Sequence, residues 1–106
     1  MAAGAADGRF TGEVTDALRN PTHRLVAGAN GRAAADLLFA DARRAHTSVR
    51  TCVRRGDPGG VRTCFDVTTG DAGVATVTPL RFRPGRYVVT WRVDGQPVAR
   101  WRFSVR

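Results

Sequence analysis

Apolar and polar residues alternate with period two through most of the second half of the chain, as half-buried β-strands require. Two such runs, 49–54 and 61–67, flank Gly56-Asp57-Pro58-Gly59-Gly60, a segment made almost wholly of turn residues. Folded as an antiparallel hairpin with Cys52 opposite Cys64, the runs pair Val49 with Val67, Thr51 with Phe65 and Val53 with Thr63. Those pairs share one face, and the cysteines share the other with Arg50, Arg54, Arg62 and Asp66. One register therefore satisfies both the apolar pattern and the geometry of a disulfide. Further strands are predicted near 73–78, 86–93 and 98–105, with turns at 69–73, 83–85 and 94–95.

The first half is less regular. Phe10 to Val14 reads as a short edge strand, 16–21 as a single turn or loop ended by Asn20-Pro21, and His23 to Ala27 as a strand. Ala29-Asn30-Gly31 is a turn signal. Residues 33–42 carry both helix-favouring alanines and the apolar run Leu37, Leu38 and Phe39. Ala35 to Phe39 is assigned to a buried strand because all its neighbours read as β. Short strands at roughly ten-residue spacing, punctuated by Gly and Pro, predict an all-β sandwich. Residues 1–9 are predicted to be a disordered arm and 10–106 a single domain.

The last hairpin poses a conflict. Tyr87, Val89, Trp91 and Val93 share one face of their strand, and Ala99, Trp101, Phe103 and Val105 share one face of the next. A two-residue Asp94-Gly95 turn would put Trp91 and Trp101 on opposite sides of the sheet. A longer loop through Gly95, Gln96 and Pro97 pairs Val93 with Ala99, Trp91 with Trp101 and Val89 with Phe103. The longer loop is preferred, because Pro97 cannot donate to a ladder and both indoles then enter one core with Tyr87, Val89 and Phe103.

Residues 80–105, with the corner Pro84-Gly85-Arg86-Tyr87 leading into the penultimate strand, resemble the end of secreted bacterial immunoglobulin-like domains of actinobacterial type. The resemblance implies an immunoglobulin-like β-sandwich of about seven strands, here with one disulfide inside a hairpin, and a Tyr87 hydroxyl that returns to nearby backbone. The cysteines depart from the antibody pattern, since they lie in one hairpin instead of bridging the sheets. The fold carries little function with it.

Charge changes the picture only in part. The net charge is +8, and all 17 basic residues are Arg. The absence of Lys and Ile beside abundant Ala, Gly, Arg and Val points to a high-GC genome, so part of the Arg excess is codon bias. A disulfide implies an oxidising, extracytoplasmic location. Met1-Ala-Ala-Gly-Ala-Ala has no basic or apolar leader region, so export predicts a mature fragment behind a start codon. No apolar run approaches the roughly 20 residues that span a membrane. His23 and His46 show no metal-ligand spacing with the cysteines, and no cofactor is expected.

Catalysis has little support. Ser104 lies in a strand, without a strained Gly-x-Ser-x-Gly turn, and His46 and Ser48 share a strand face for reasons of geometry alone. Arg55-Gly56-Asp57 matches an adhesive triplet that chance readily supplies in this composition. Arg54 and Arg55 at a disulfide-closed tip fit a protease-inhibitor loop, against which the three glycines of that tip argue. The strongest lead is a basic surface of Arg50, Arg54, Arg55, Arg62, Arg92, Arg100 and Arg102. The expected function is a secreted, non-catalytic binding or accessory module, monomeric in isolation, whose partner is a protein or an acidic cell-envelope polymer. The alternatives are an adaptor subunit docking by its N-terminal arm and sheet edge, and the inhibitor. The aromatics serve the core better than a stacking row, which argues against nucleic acid.

Overall fold

Period-two burial is plainest in the strand formed by Ala33–Asp41, where Ala33, Ala35, Leu37, Phe39 and Asp41 are buried and the residues between them are not. A computed structural model describes residues 8–56 and 60–106, with the backbone alone for Pro79. Most of the expected 1–9 arm and the Asp57-Pro58-Gly59 tip lie outside the described residues. The described residues form eight strands: β1 Phe10–Thr15, β2 Arg24–Leu25, β3 Ala33–Asp41, β4 Ser48–Arg55, β5 Arg62–Thr68, β6 Val74–Phe82, β7 Gly85–Val93 and β8 Gln96–Val105. The count exceeds the expected seven or so by one, and the strand expected at 23–27 is reduced to Arg24 and Leu25, which pair in parallel with β8. The ambiguous segment 33–42 is a strand for a tertiary reason: β1 and β6 flank β3 and take up its backbone groups in ladders.

The strands form two sheets, β1-β3-β6 and β2-β8-β7-β4-β5, packed as a sandwich of immunoglobulin-like type. The β4–β5 hairpin has the register deduced from its pattern, with Cys52 opposite Cys64 and disulfide-bonded to it. Val49, Thr51 and Val53 are buried against the opposing sheet, while Phe65 and Val67 are half-buried. The Tyr87 hydroxyl donates to the Arg83 carbonyl at 2.7 Å, the backbone return expected of the corner.

The β7–β8 connection differs from the long loop expected. Asp94 and Gly95 take φ of 52° and 77° and close a two-residue turn with Val93 opposite Gln96. One extra residue then enters β8. Arg92 faces Pro97 but Trp91 faces Ala99, so Val98 forms a bulge. The bulge returns both indoles to the inner face, with Trp101 opposite Val89 and Phe103 opposite Tyr87. Trp91, Val89 and Phe103 are buried, while Tyr87 and Trp101 are half-buried. Trp101 stacks on His23 at 3.9 Å and donates from Nε1 to the Thr22 carbonyl at 2.8 Å, which holds the β2 segment against β8.

Trp91 is fully buried between the sheets. It lies against Gly12 of β1, where a Cβ would stand 2.6 and 2.7 Å from Trp91 Cζ3 and Cδ2. At the end of β3, buried Asp41 accepts from Arg9 Nε and Nη2 at 3.0 and 3.1 Å, from Thr47 Oγ1 at 2.7 Å and from the Arg43 amide at 3.0 Å. The Arg9 hydrogen bonds, with those of Thr47 and the Arg43 amide, outweigh the effect of burial and hold the carboxyl well below the usual carboxylate range.

Two predictions follow from this packing. Gly12→Ala should destabilise the protein by about 1–3 kcal/mol in urea unfolding, because the added methyl meets the ring of a fully buried Trp91; an unchanged midpoint would place Trp91 elsewhere. Asp41→Asn should lower stability by about 3 kcal/mol at pH 7. Because the folded pKa is depressed, the wild-type advantage exists above the unfolded value near 4 and is lost as pH falls below it. The gap between wild type and variant should therefore narrow steadily below about pH 4, and a pH-independent gap would contradict the role assigned to Asp41.

Candidate functional site

The same alternation that turns Val49, Val53, Val89 and Trp91 inward turns a second set of residues outward on the five-stranded sheet. Arg54 lies between Arg62 on β5 and Val88 on β7, with Arg102 beyond Val88 on β8. One row along, Cys52 lies between Cys64 and Thr90, with Arg100 beyond. In the next row Arg50 lies between Asp66 and Arg92. Neighbouring strands are about 4.8 Å apart, so guanidinium groups in these rows are within reach of one another.

Arg54, Arg62, Arg92, Arg100 and Arg102 line a shallow depression of about 180 Å3, floored by Cys52, Val88 and Thr90. Arg62 Nη2 donates to Cys52 Sγ at 3.5 Å. Arg92 Nε is buried without a hydrogen-bond partner among the described residues. The only carboxylate in these rows, Asp66, accepts from Arg50 Nε and Nη2 at 2.7 and 3.0 Å. That pairing lowers the Asp66 carboxyl and raises the Arg50 guanidinium from their ordinary values. Both side chains are exposed, so the pair stabilises the fold little. Its main effect is to occupy Asp66. Among the described residues, no carboxylate pairs with Arg54, Arg62, Arg92, Arg100 or Arg102.

The structure thus brings six of the seven candidate arginines to one face and leaves Arg55 out. Arg55 sits on the inward-facing side of β4, opposite Tyr87, and donates from Nη2 to the Pro84 carbonyl at 2.8 Å. It supports the Pro84-Gly85 corner, whereas Arg54, one residue earlier, points the opposite way. Arg86 was missed by the sequence reading. It precedes Val88 by two, faces outward opposite Ser104, and extends the basic surface beside Arg54, Arg102 and His23. The period-two run of Arg86, Val88, Thr90 and Arg92 carried that signal.

The groups weighed for catalysis or metal binding stand apart. His46 Nε2 pairs with Asp71 at 2.9 Å on the surface, and His23 is stacked on Trp101. Among the described residues no three His, Cys, Asp or Glu side chains gather as a metal site would require. No described helix is long and apolar enough to cross a membrane.

No protein-family model matches the sequence, and comparison with curated proteins finds no match. Solved structures share the fold at low identity. A CARDB domain from Pyrococcus furiosus, solved in complex with di-metal ions, is 15% identical over 92% of this chain and 87% of its own, with a TM-score of 0.55. An immunoglobulin-like protein from Pseudomonas aeruginosa is 14% identical over 92% of this chain and 91% of its own, at 0.50. The alkylpurine DNA glycosylase AlkC of Pseudomonas fluorescens, solved bound to DNA containing an abasic-site analogue, is 16% identical over 92% of this chain, at 0.52. This chain spans only 30% of that enzyme. Such likeness establishes the immunoglobulin-like fold and nothing of the chemistry.

The disulfide supports the centre of the basic face, so its removal should be felt in the fold. Closing a loop of 12 residues is worth about 3 kcal/mol. A Cys52→Ser/Cys64→Ser variant should lose about that much in urea unfolding, and thiol titration of the denatured, unreduced wild type should find no free sulfhydryl. Two titratable thiols would remove the disulfide from the fold.

Proposed function

We propose that this chain is a secreted, non-catalytic binding module that holds an acidic cell-envelope polymer on the arginine face of its large sheet. One observation carries the reading: five arginines line a single depression, and none has a carboxylate partner among the described residues. Arg54 and Arg62 stand directly opposite each other across the strand pair, an unfavourable arrangement that a bound anion relieves. Part of the Arg excess comes from codon bias, but codon bias does not collect unpaired cations on one face. The disulfide is compatible with an extracytoplasmic location, where acidic envelope polymers are found.

Two competing readings lose support. The inhibitor reading needs Arg55 presented at the hairpin tip, and Arg55 is instead hydrogen-bonded to the Pro84 carbonyl. Nucleic-acid binding favours aromatic side chains beside the basic groups, and among the described residues no aromatic lines the depression.

Retention on immobilised wall teichoic acid tests the proposal. The wild type should be retained at low salt, with affinity falling linearly in log–log form as counterions return. An Arg54→Ala/Arg100→Ala variant should reduce the salt slope by about two, one for each lost contact. Asp66→Asn, which releases Arg50 from its pair, should strengthen retention. Elution in the void volume at low salt would sink the polymer reading and leave the net charge of +8 without a ligand.

A further inference from the structure

We propose that the free edge of β5 docks an extended segment of a partner protein in which apolar residues alternate with acidic ones, added as a further strand to the large sheet. The inference does not rest on the polymer reading. It uses a backbone edge and a cleft that lie apart from the floor of the arginine depression.

The backbone of β5 is poised for pairing. Arg55 N donates to Val61 O, and Thr69 N donates to Thr47 O, so odd-numbered residues turn their amide and carbonyl groups toward β4. The 4.1 Å Cα separation of Cys52 and Cys64 agrees, since directly opposed residues come this close only at non-hydrogen-bonded positions. Arg62, Cys64, Asp66 and Thr68 therefore present their N–H and C=O groups at the edge of the sheet. The other edges are less open. β2 has two residues, β6 carries Pro79 with no N–H, and β1 packs beside β8. β5 offers seven residues without a proline.

The two faces of β5 set the chemistry of an added strand. On the inner face Thr63 is exposed, Phe65 and Val67 are half-buried, and Val61 is 75% exposed. Beside them the gap between the sheets opens as a cleft of about 460 Å3, walled on the far side by Leu80 and Phe82 of β6. Apolar side chains of the added strand would enter this cleft. On the outer face β5 carries Arg62, which has no carboxylate partner among the described residues, and Asp66, whose charge is already taken up by Arg50. Arg32, Arg81 and Arg83 also border the cleft, so cations repel a basic segment from both sides. Because side chains of a strand alternate between faces, the preferred code is apolar inward and acidic outward.

Three acetylated nine-residue peptides test this: valine alternating with glutamate, valine alternating with lysine, and valine and glutamate in two blocks. The alternating acidic peptide should bind, and it should slow hydrogen exchange at the amides of Arg62, Cys64, Asp66 and Thr68. It should bind about threefold or more tightly than the lysine peptide, and the block peptide should bind weakly. Arg62→Glu, which also removes the repulsion from Arg54, should reverse the preference between glutamate and lysine. Arg54→Ala/Arg100→Ala should leave peptide binding unchanged while lowering polymer retention. Equal binding of the block peptide, protection at another edge or none, or loss of peptide and polymer binding together in the Arg54→Ala/Arg100→Ala variant would each overturn the proposal.

Discussion

The placement of Trp91 between the sheets is the constraint on which the rest of the molecule depends. It is the largest fully buried side chain, and it requires a residue without Cβ at Gly12 on the facing strand. It also governs β8. With the two-residue Asp94-Gly95 turn and no bulge, Ala99, Trp101 and Phe103 would point outward and Arg100 and Arg102 inward. The extra residue at Val98 turns the aromatic side chains of β8 to the core and its arginines to the surface in a single step. Core packing and the basic face are therefore two results of one irregularity. Arg100 and Arg102 stand beside Thr90 and Val88 because Trp91 has to be buried.

The basic face works against stability. Arg54 opposes Arg62, and Arg50 has Arg92 as its other cross-strand neighbour, so like charges meet across both sides of β4. The Arg50–Asp66 pair relieves one row. The disulfide crosses the row between the repelling groups and holds β4 and β5 in register regardless of charge. Groups left unsatisfied in the folded protein are where a ligand gains the most, and the arginine depression has that character.

Legibility in the sequence followed locality. The β4–β5 hairpin was readable to the residue because its register follows from two adjacent runs, a turn and a cysteine pair. The Tyr87 corner was readable for the same reason, since its hydroxyl reaches only four residues back. The β7–β8 turn was misjudged. The need to bring both indoles to one face was correct, but a bulge meets it as well as a long loop does, and no residue pattern separates the two. The pairing of β4 with β7, which sets Arg92 beside Arg50, is non-local and left no trace in either strand's alternation. Arg55 was misplaced because adjacency in sequence was taken as adjacency in space, whereas neighbouring residues on a strand point to opposite faces. Segment 33–42 stayed ambiguous because its local preference was helical and only its partners β1 and β6 make it a strand.

The position of the Cys52–Cys64 bond below the hairpin tip has a topological consequence. The bond and the chain between the two cysteines form a closed ring that contains the whole tip. A single proteolytic cut anywhere between them opens the ring without dividing the molecule, since the two resulting chains stay covalently joined at the sheet. Between the two cysteines the backbone can therefore be severed while β4 and β5 remain tethered side by side.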